Sequence, residues 1–261
     1  MPTIALYTDF GYDNWFAGVL KGVITSISPS LNVIDVTHSI ESFDLIEAAF
    51  VIEWSYRFFP EGTVHVAIVD PGVGGSRRPV IVKSDRYFFI APDNGILSRI
   101  FEAEDNYEAY YISNEKYFLP NISNTFHGRD IFAPVAAQIA CGAKIDELGY
   151  KITDPVVLKN LNPAKIDENI LEGEVVVVDK FGNLITNIRA KDLGNDYVIE
   201  LPANRIRFFG LNRSYGEVFA GDPLVLEGST GYIEVAVNQG NASRILSMGK
   251  GDKVRVYSKM Y

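Results

Sequence analysis

An α/β domain followed by an all-β domain is the architecture this sequence predicts, and three observations carry the prediction. Up to about residue 160, short apolar runs alternate with segments of helical periodicity. From residue 173 onward, short strand-like runs follow one another with turn residues between them. Residues 161–172 are polar, contain Pro163 and hold no sustained period, as a linker does. The expected domains are therefore 1–160 and 173–261.

Thr3 to Thr8 forms a compact apolar run that ends at Asp9. Phe16, Val19, Leu20, Val23, Ile24 and Ile27 then recur at helical spacing. Asn32 to Val36 reads as a second strand, and Leu45, Ile46, Ala49, Ile52 and Tyr56 as a second helix, stopped by Pro60 and Gly62. Val64 to Val69 is a third strand that delivers Asp70. Val80 to Val82 and Tyr87 to Ile90 add strands, and Ala133 to Ala140 is helical. Strands separated by helices imply right-handed crossovers, hence a Rossmann-like domain with a mostly parallel sheet. In the second half the expected strands are 174–178, 184–188, 197–201, 205–209, 223–226, 232–237 and 253–257, a barrel-like pattern punctuated by Gly182, Gly210, Gly221, Gly228 and Gly249.

Composition narrows the function. Of 261 residues, 47% are hydrophobic and 22% charged, which excludes a disordered chain. A net charge of −9 repels phosphate backbones and anionic lipid, so neither nucleic acid nor a membrane is an expected partner. The weakly polar run from Ile131 to Ala143 is too short to span a bilayer, and the N-terminus lacks a basic signal segment. A cytoplasmic protein is expected. Cys141 is the only cysteine and the three histidines (His38, His65, His127) include no close pair, so no metal site is expected.

Ligands of open α/β sheets bind beyond the carboxyl ends of the strands, where Asp9 and Asp70 fall. Asp9 suits either a turn or a carboxylate that accepts both hydroxyls of a ribose. The glycine-rich stretch after Asp70 lacks the Lys-Ser/Thr of a phosphate loop, and no G-x-S-x-G occurs. Arg77, seven residues on, can return to neutralise Asp70. His38 and His65 lie in or beside strand patterns and suit core positions, whereas His127 stands at the polar entry to a helix. In the β domain, the amide of Asn183 can donate and accept together, as an adenine edge requires.

Six segments carry a more specific signal: Thr8–Gly11, Val69–Gly74, Ala91–Gly95, Phe126–Asp130, Phe181–Asn187 and Asn238–Ala242, in that order. Together they resemble the S-adenosyl-L-methionine (SAM) hydrolase family, the SAM hydroxide adenosyltransferases, relatives of fluorinase and chlorinase. The resemblance spans nearly the whole chain. It implies cleavage of SAM by water at ribose C5′ to adenosine and L-methionine, with no cofactor. It matches Asp70, Arg77 and His127 to the water-activating trio and Asp9 to the ribose carboxylate. Asn183 and the backbone of Val237, Asn238 and Gln239 match adenine contacts, and Asp179 and Ser229 match groups near the methionine. Phe43 and Val73 match the lining of the sugar and sulfonium, with Gly128 beside His127. Asn14 stands where relatives usually carry an acid. The resemblance further implies a homotrimer with sites between subunits. The same binding residues would also serve a 5′-halogenase or a non-catalytic adenosine or SAM binder. Which of Asp70 and His127 takes the proton stays open at this level.

Overall fold

The computed structural model describes residues 1–194 and 196–258; residue 195 and residues 259–261 of the expected second domain lie outside it. The chain divides into two units, Met1–Leu158 and Lys159–Tyr261. The first unit runs β1 (Thr3–Thr8), α1 (Phe16–Ile27), β2 (Asn32–Thr37), α2 (Leu45–Ser55), β3 (Val64–Ile68), β4 (Pro79–Ser84), β5 (Phe88–Pro92), α3 (Ser98–Ala103), β6 (Tyr107–Ile112), a π-helical turn Gly128–Phe132, α4 (Ala133–Ala140), α5 (Ile145–Leu148) and β7 (Gly149–Ile152). Its strands form one sheet in the order β2-β1-β3-β5-β4-β6-β7.

Strands β1 and β3 are buried on both faces, which is why they read as unbroken apolar runs. Alternate residues serve opposite layers. Ile4, Leu6, Val66 and Ile68 meet Leu20 and Ile24 of α1 and Val135 and Ile139 of α4 on one side. Ala5, Tyr7, Ala67 and Val69 meet Ala48 and Ile52 of α2 and Ile100 of α3 on the other. Thr8 pairs with Ile68 in the parallel ladder, so Asp9 and Asp70 leave neighbouring strands at the same end.

The sheet is mixed, which corrects the expectation of a mostly parallel one. β2, β1, β3 and β5 pair in parallel, whereas β4 pairs antiparallel with β5 and β6, and β6 with β7. The reason is chain length. Only residues 85–87 separate β4 from β5, enough for a hairpin, whereas a parallel neighbour needs a crossover of about a dozen residues.

The second unit contains β8 (Ala164–Asp167), β9 (Ile170–Val178), β10 (Leu184–Arg189), β11 (Tyr197–Leu201), β12 (Ile206–Phe208), β13 (Pro223–Glu227), β14 (Tyr232–Val237), α6 (Ala242–Leu246) and β15 (Lys253–Ser258). These strands pair antiparallel in one nearly barrel-shaped sheet, β12-β11-β15-β9-β10-β14-β13, with β8 added on β9. Val175, Leu184, Ile199, Val225, Ile233, Val235 and Val254 fill its core. Residues 161–172, expected to be a linker, instead supply β8 and the start of β9. All four residues of β8 are exposed, and its apolar–polar alternation, Ala164-Lys165-Ile166-Asp167, is only four residues long and too short to stand out among polar neighbours. No helix among the described residues is long and apolar enough to cross a membrane.

His65 illustrates the first unit's interior. Its Nδ1 lies 3.1 Å from the Tyr7 hydroxyl and its ring stacks on Phe89 at 5.2 Å. Burial pushes its pKa from 6.5 down to about 3, so the folded chain holds it neutral. The unfolded chain takes up that proton first. Stability from this group is therefore complete above about pH 6.5 and lost as pH falls toward about 3, by up to about 1.4 kcal/mol per pH unit. His65→Phe is expected to flatten this decline, measured as Tm against pH.

Candidate active site

The first unit holds a pocket at the carboxyl ends of β1 and β3, lined by Asp9, Phe43, Asp70, Val73, His127 and Gly128 among others. Arg77 stands behind it. Its Nε donates to both Asp70 oxygens at 3.0 Å, and its Nη2 reaches Asp70 Oδ2 and, at 2.7 Å, His127 Nδ1. The Arg77 and Asp70 side chains are 9% and 7% exposed, so the pair is nearly desolvated. Phe132 covers the guanidinium at 5.4 Å from its ring centre.

An arginine has no acceptor, so His127 Nδ1 must accept and the ring's hydrogen must sit on Nε2. The imidazole is therefore neutral, as a donor needs only its Nε2–H. Burial and the Arg77 charge both hold the His127 pKa below the usual histidine value, against smaller opposing effects of Asp70 and Asp130. The loop that bears His127 is fixed by Asp130, which is 1% exposed, pairs with Arg129 and accepts the Ser123 N–H at 2.8 Å. The Asp70 loop reaches this segment through Gly74. There φ is +75°, and a Cβ would lie 2.2 Å from the Asn124 carbonyl oxygen.

Asp9 Oδ2 accepts the Phe43 N–H at 3.0 Å. Burial raises the Asp9 pKa, the bonds from Phe43 and its own backbone lower it, and Asp70 nearby raises it further. Phe43 holds a left-handed backbone at φ 69° to make this contact, a strained conformation for an aromatic residue. Thr8 braces the turn from below: its hydroxyl accepts the Phe10 N–H at 3.2 Å and lies 2.8 Å from His38 Nδ1. His38 is thus buried, as is His65. Phe10, Phe16 and Phe126, which the sequence places in a motif or a helical stripe without a site role, form the apolar wall. Asn14 does not line the pocket. Its amide donates to the Phe10 carbonyl, and its oxygen accepts the Phe16 N–H at the start of α1.

A second pocket, in the second unit, gathers Asp179, Asn183, Ser229, Val237 and Gln239. Asp179 Oδ1 accepts the N–H groups of Phe181 and Asn183 at 2.8 and 2.9 Å, and Oδ2 accepts the Asn183 side-chain amide at 3.0 Å. Gly182 permits this turn at φ +88°, where a Cβ would strike the Asn241 side chain at 2.1 Å. Asn238 stands apart: its amide donates to the Val218 carbonyl, and its backbone N–H and C=O are taken by Asp222 and Gly221. Tyr215, Thr230 and Glu234 join the lining and were not singled out from sequence, although an acid inside the apolar run of β14 was a legible signal. Among the described residues, Glu41, Asp44 and Glu47 lie close enough to share a cation, but Asp44 is spent capping α2.

Two family models match the chain, the SAM hydroxide adenosyltransferase N-terminal domain over residues 4–149 and the C-terminal domain over residues 173–255. The chain belongs to the SAM hydroxide adenosyltransferase family. An (R)-S-adenosyl-L-methionine hydrolase of Thermus thermophilus is 34% identical over 263 residues, covering 98% of this chain and 100% of that protein. A fluorinase of an Actinoplanes species is 29% identical over 273 residues, 91% of each chain. Among solved structures, an uncharacterized conserved protein of Thermotoga maritima superposes with a TM-score of 0.89 at 36% identity, over 97% of this chain and 99% of that one.

The close approach at Gly74 yields a test. Gly74→Ala must separate the Asp70 loop from the segment that carries His127, and a displacement of about 1 Å is enough to cost roughly 10²-fold in rate. Turnover is expected to fall by that order while the circular dichroism spectrum is unchanged.

Proposed function

We propose that the chain hydrolyses SAM by attack of water at ribose C5′, releasing adenosine and L-methionine. The observation that carries this reading is the Arg77 bridge between Asp70 and His127 beside the Asp9 carboxylate. Relatives named as hydrolases of the (R) sulfonium epimer support it, and that epimer is the proposed substrate. Asp9 takes the ribose hydroxyls, Phe43, Val73 and Gly128 line the sugar, and Asn183 with Val237 and Gln239 reads the adenine. Asp179 and Ser229 are assigned to the methionine end of the site, Asp179 also shaping the Asn183 turn. Asn14 and Asn238 are assigned to local structure, since their groups are already engaged.

The chemistry needs little from the leaving group. The C5′–S bond breaks with its electron pair going to sulfur, and methionine departs as a neutral thioether. A C5′–O bond forms as the attacking water loses one proton. The Nε2–H of His127 donates to the water oxygen and orients it, so the proton goes to Asp70 and then to solvent. Arg77 holds both partners in register. No cofactor is required, SAM being the substrate. The pocket's carboxylates favour a sulfonium cation and disfavour a halide nucleophile, which argues for hydrolysis over halogenation.

Asp70→Asn is expected to lower kcat by about 10²–10⁴-fold. His127→Gln, whose amide still donates, is expected to retain more activity than His127→Ala; equal losses would assign the proton to histidine instead. Chromatographic adenosine formation from each resolved SAM epimer, with and without chloride or fluoride, decides the activity. Protonating His127 ends its acceptance from Arg77, so with a lowered pKa the acid limb of kcat/KM should lie below pH 6.5. That limb should vanish in His127→Gln.

We further propose a cytoplasmic homotrimer with sites between subunits, in keeping with the exposed aromatic rings of Phe43, Phe181 and Phe219. Light scattering is expected to give three times the chain mass. A fully active monomer would overturn this assignment.

A further inference from the structure

The pocket of the second unit contains a carboxylate that the roles above leave unused. Glu234 is 6% exposed, in a strand otherwise made of Tyr, Ile, Val and Ala. Its Oε1 accepts the Tyr215 hydroxyl at 2.6 Å, and Oε2 takes no hydrogen bond among the described residues. A Cβ on residue 228 would approach Oε2 to 2.9 Å, so Gly228 leaves that oxygen its room. The pocket's other acid, Asp179, already accepts three N–H donors from its own turn. No Lys, Arg or His lies among the described lining residues. In the same pocket, the Thr230 hydroxyl oxygen is buried without a hydrogen-bond partner among the described residues.

A buried carboxylate with no cation beside it is costly, and such groups persist where a ligand completes them. We propose that Glu234, held by Tyr215, is the specificity-determining residue that receives the charged amine of the substrate's tail. The proposal rests on the reading of the chain as a SAM hydrolase and deepens it. An ammonium offers compact donors to Oε2, and its charge relieves the burial and the Asp179 repulsion that together raise the Glu234 pKa. An α-carboxylate finds neutral donors, the Ser229 and Thr230 hydroxyls and the Gln239 amide, but no cation among the described lining residues. The substrate class is therefore a sulfonium nucleoside bearing an aliphatic ammonium, with the carboxylate dispensable.

The test compares SAM, its deamino analogue and its decarboxylated analogue, by turnover and by calorimetric binding to the full chain. Wild type is expected to lose roughly 10–100-fold in kcat/KM with the deamino compound, mostly through KM, and to hold the decarboxylated one within a few-fold of SAM. E234Q should weaken SAM by the same factor and no longer distinguish it from the deamino analogue. Y215F should fall between. Equal use of SAM and the deamino analogue by wild type would overturn the proposal, as would full discrimination in E234Q. If E234Q does not fold, the wild-type panel and Y215F still decide. Discrimination in binding without turnover would remove the hydrolase reading and leave amine recognition standing. Absence of SAM binding would remove both.

Discussion

The fork of Arg77 is the contact on which the first unit's site depends. One guanidinium holds a carboxylate from the end of β3 and an imidazole from the entry to the π-helical turn, fifty residues further along the chain. Both ion-pair members are nearly out of water, so neither could stay without the other: removing one partner of a buried pair leaves a charge with no compensation. A lysine would keep the charge and lose the planar geometry that serves two acceptors at once. Because the arginine can only donate, it also decides which ring nitrogen of His127 carries hydrogen. Geometry, protonation and orientation thus follow from a single side chain.

The rest of the first unit can be seen as support for that contact. The parallel pairing of β1 with β3 sets Asp9 beside Asp70, and the alternation of buried residues on those strands anchors the pairing to two helical layers. Loops then finish the arrangement by backbone means: the bare Cα at Gly74, the left-handed Phe43, and the Thr8 hydroxyl beneath the Asp9 turn. Strain at Phe43 costs on the order of 1–3 kcal/mol and is sustained by surroundings that are otherwise well packed.

Much of this was legible in the sequence, for reasons that differ by element. Strands β9 to β15 show apolar residues between clear turn signals, so they were recognisable one by one. Strand direction was less accessible, because the β4–β5 turn looks like any short connection until its length is weighed against a crossover. β8 escaped altogether, since four exposed residues alternating Ala-Lys-Ile-Asp are too short a signal to separate from a polar linker. Asp9, Asp70, Arg77 and His127 stood out as polar groups at strand and helix ends. Asn14 and Asn238 show the opposite limit: polar groups at the expected positions are taken up by hydrogen bonds of the fold itself, the Asn14 side chain by Phe10 and Phe16 and the Asn238 backbone by Gly221 and Asp222.

The π-helical turn at Gly128–Phe132 has a consequence for how this site tolerates change. The Ala133 N–H reaches back five residues to the Gly128 carbonyl, so the turn holds one residue more than an α-helix would. Each residue of a regular helix advances the azimuth by about 100°. The extra residue therefore acts as a phase offset between His127 and the apolar stripe of α4. Deleting a single residue from the turn would rotate the two out of phase by about a quarter of a circle, uncoupling a sound core from a working site.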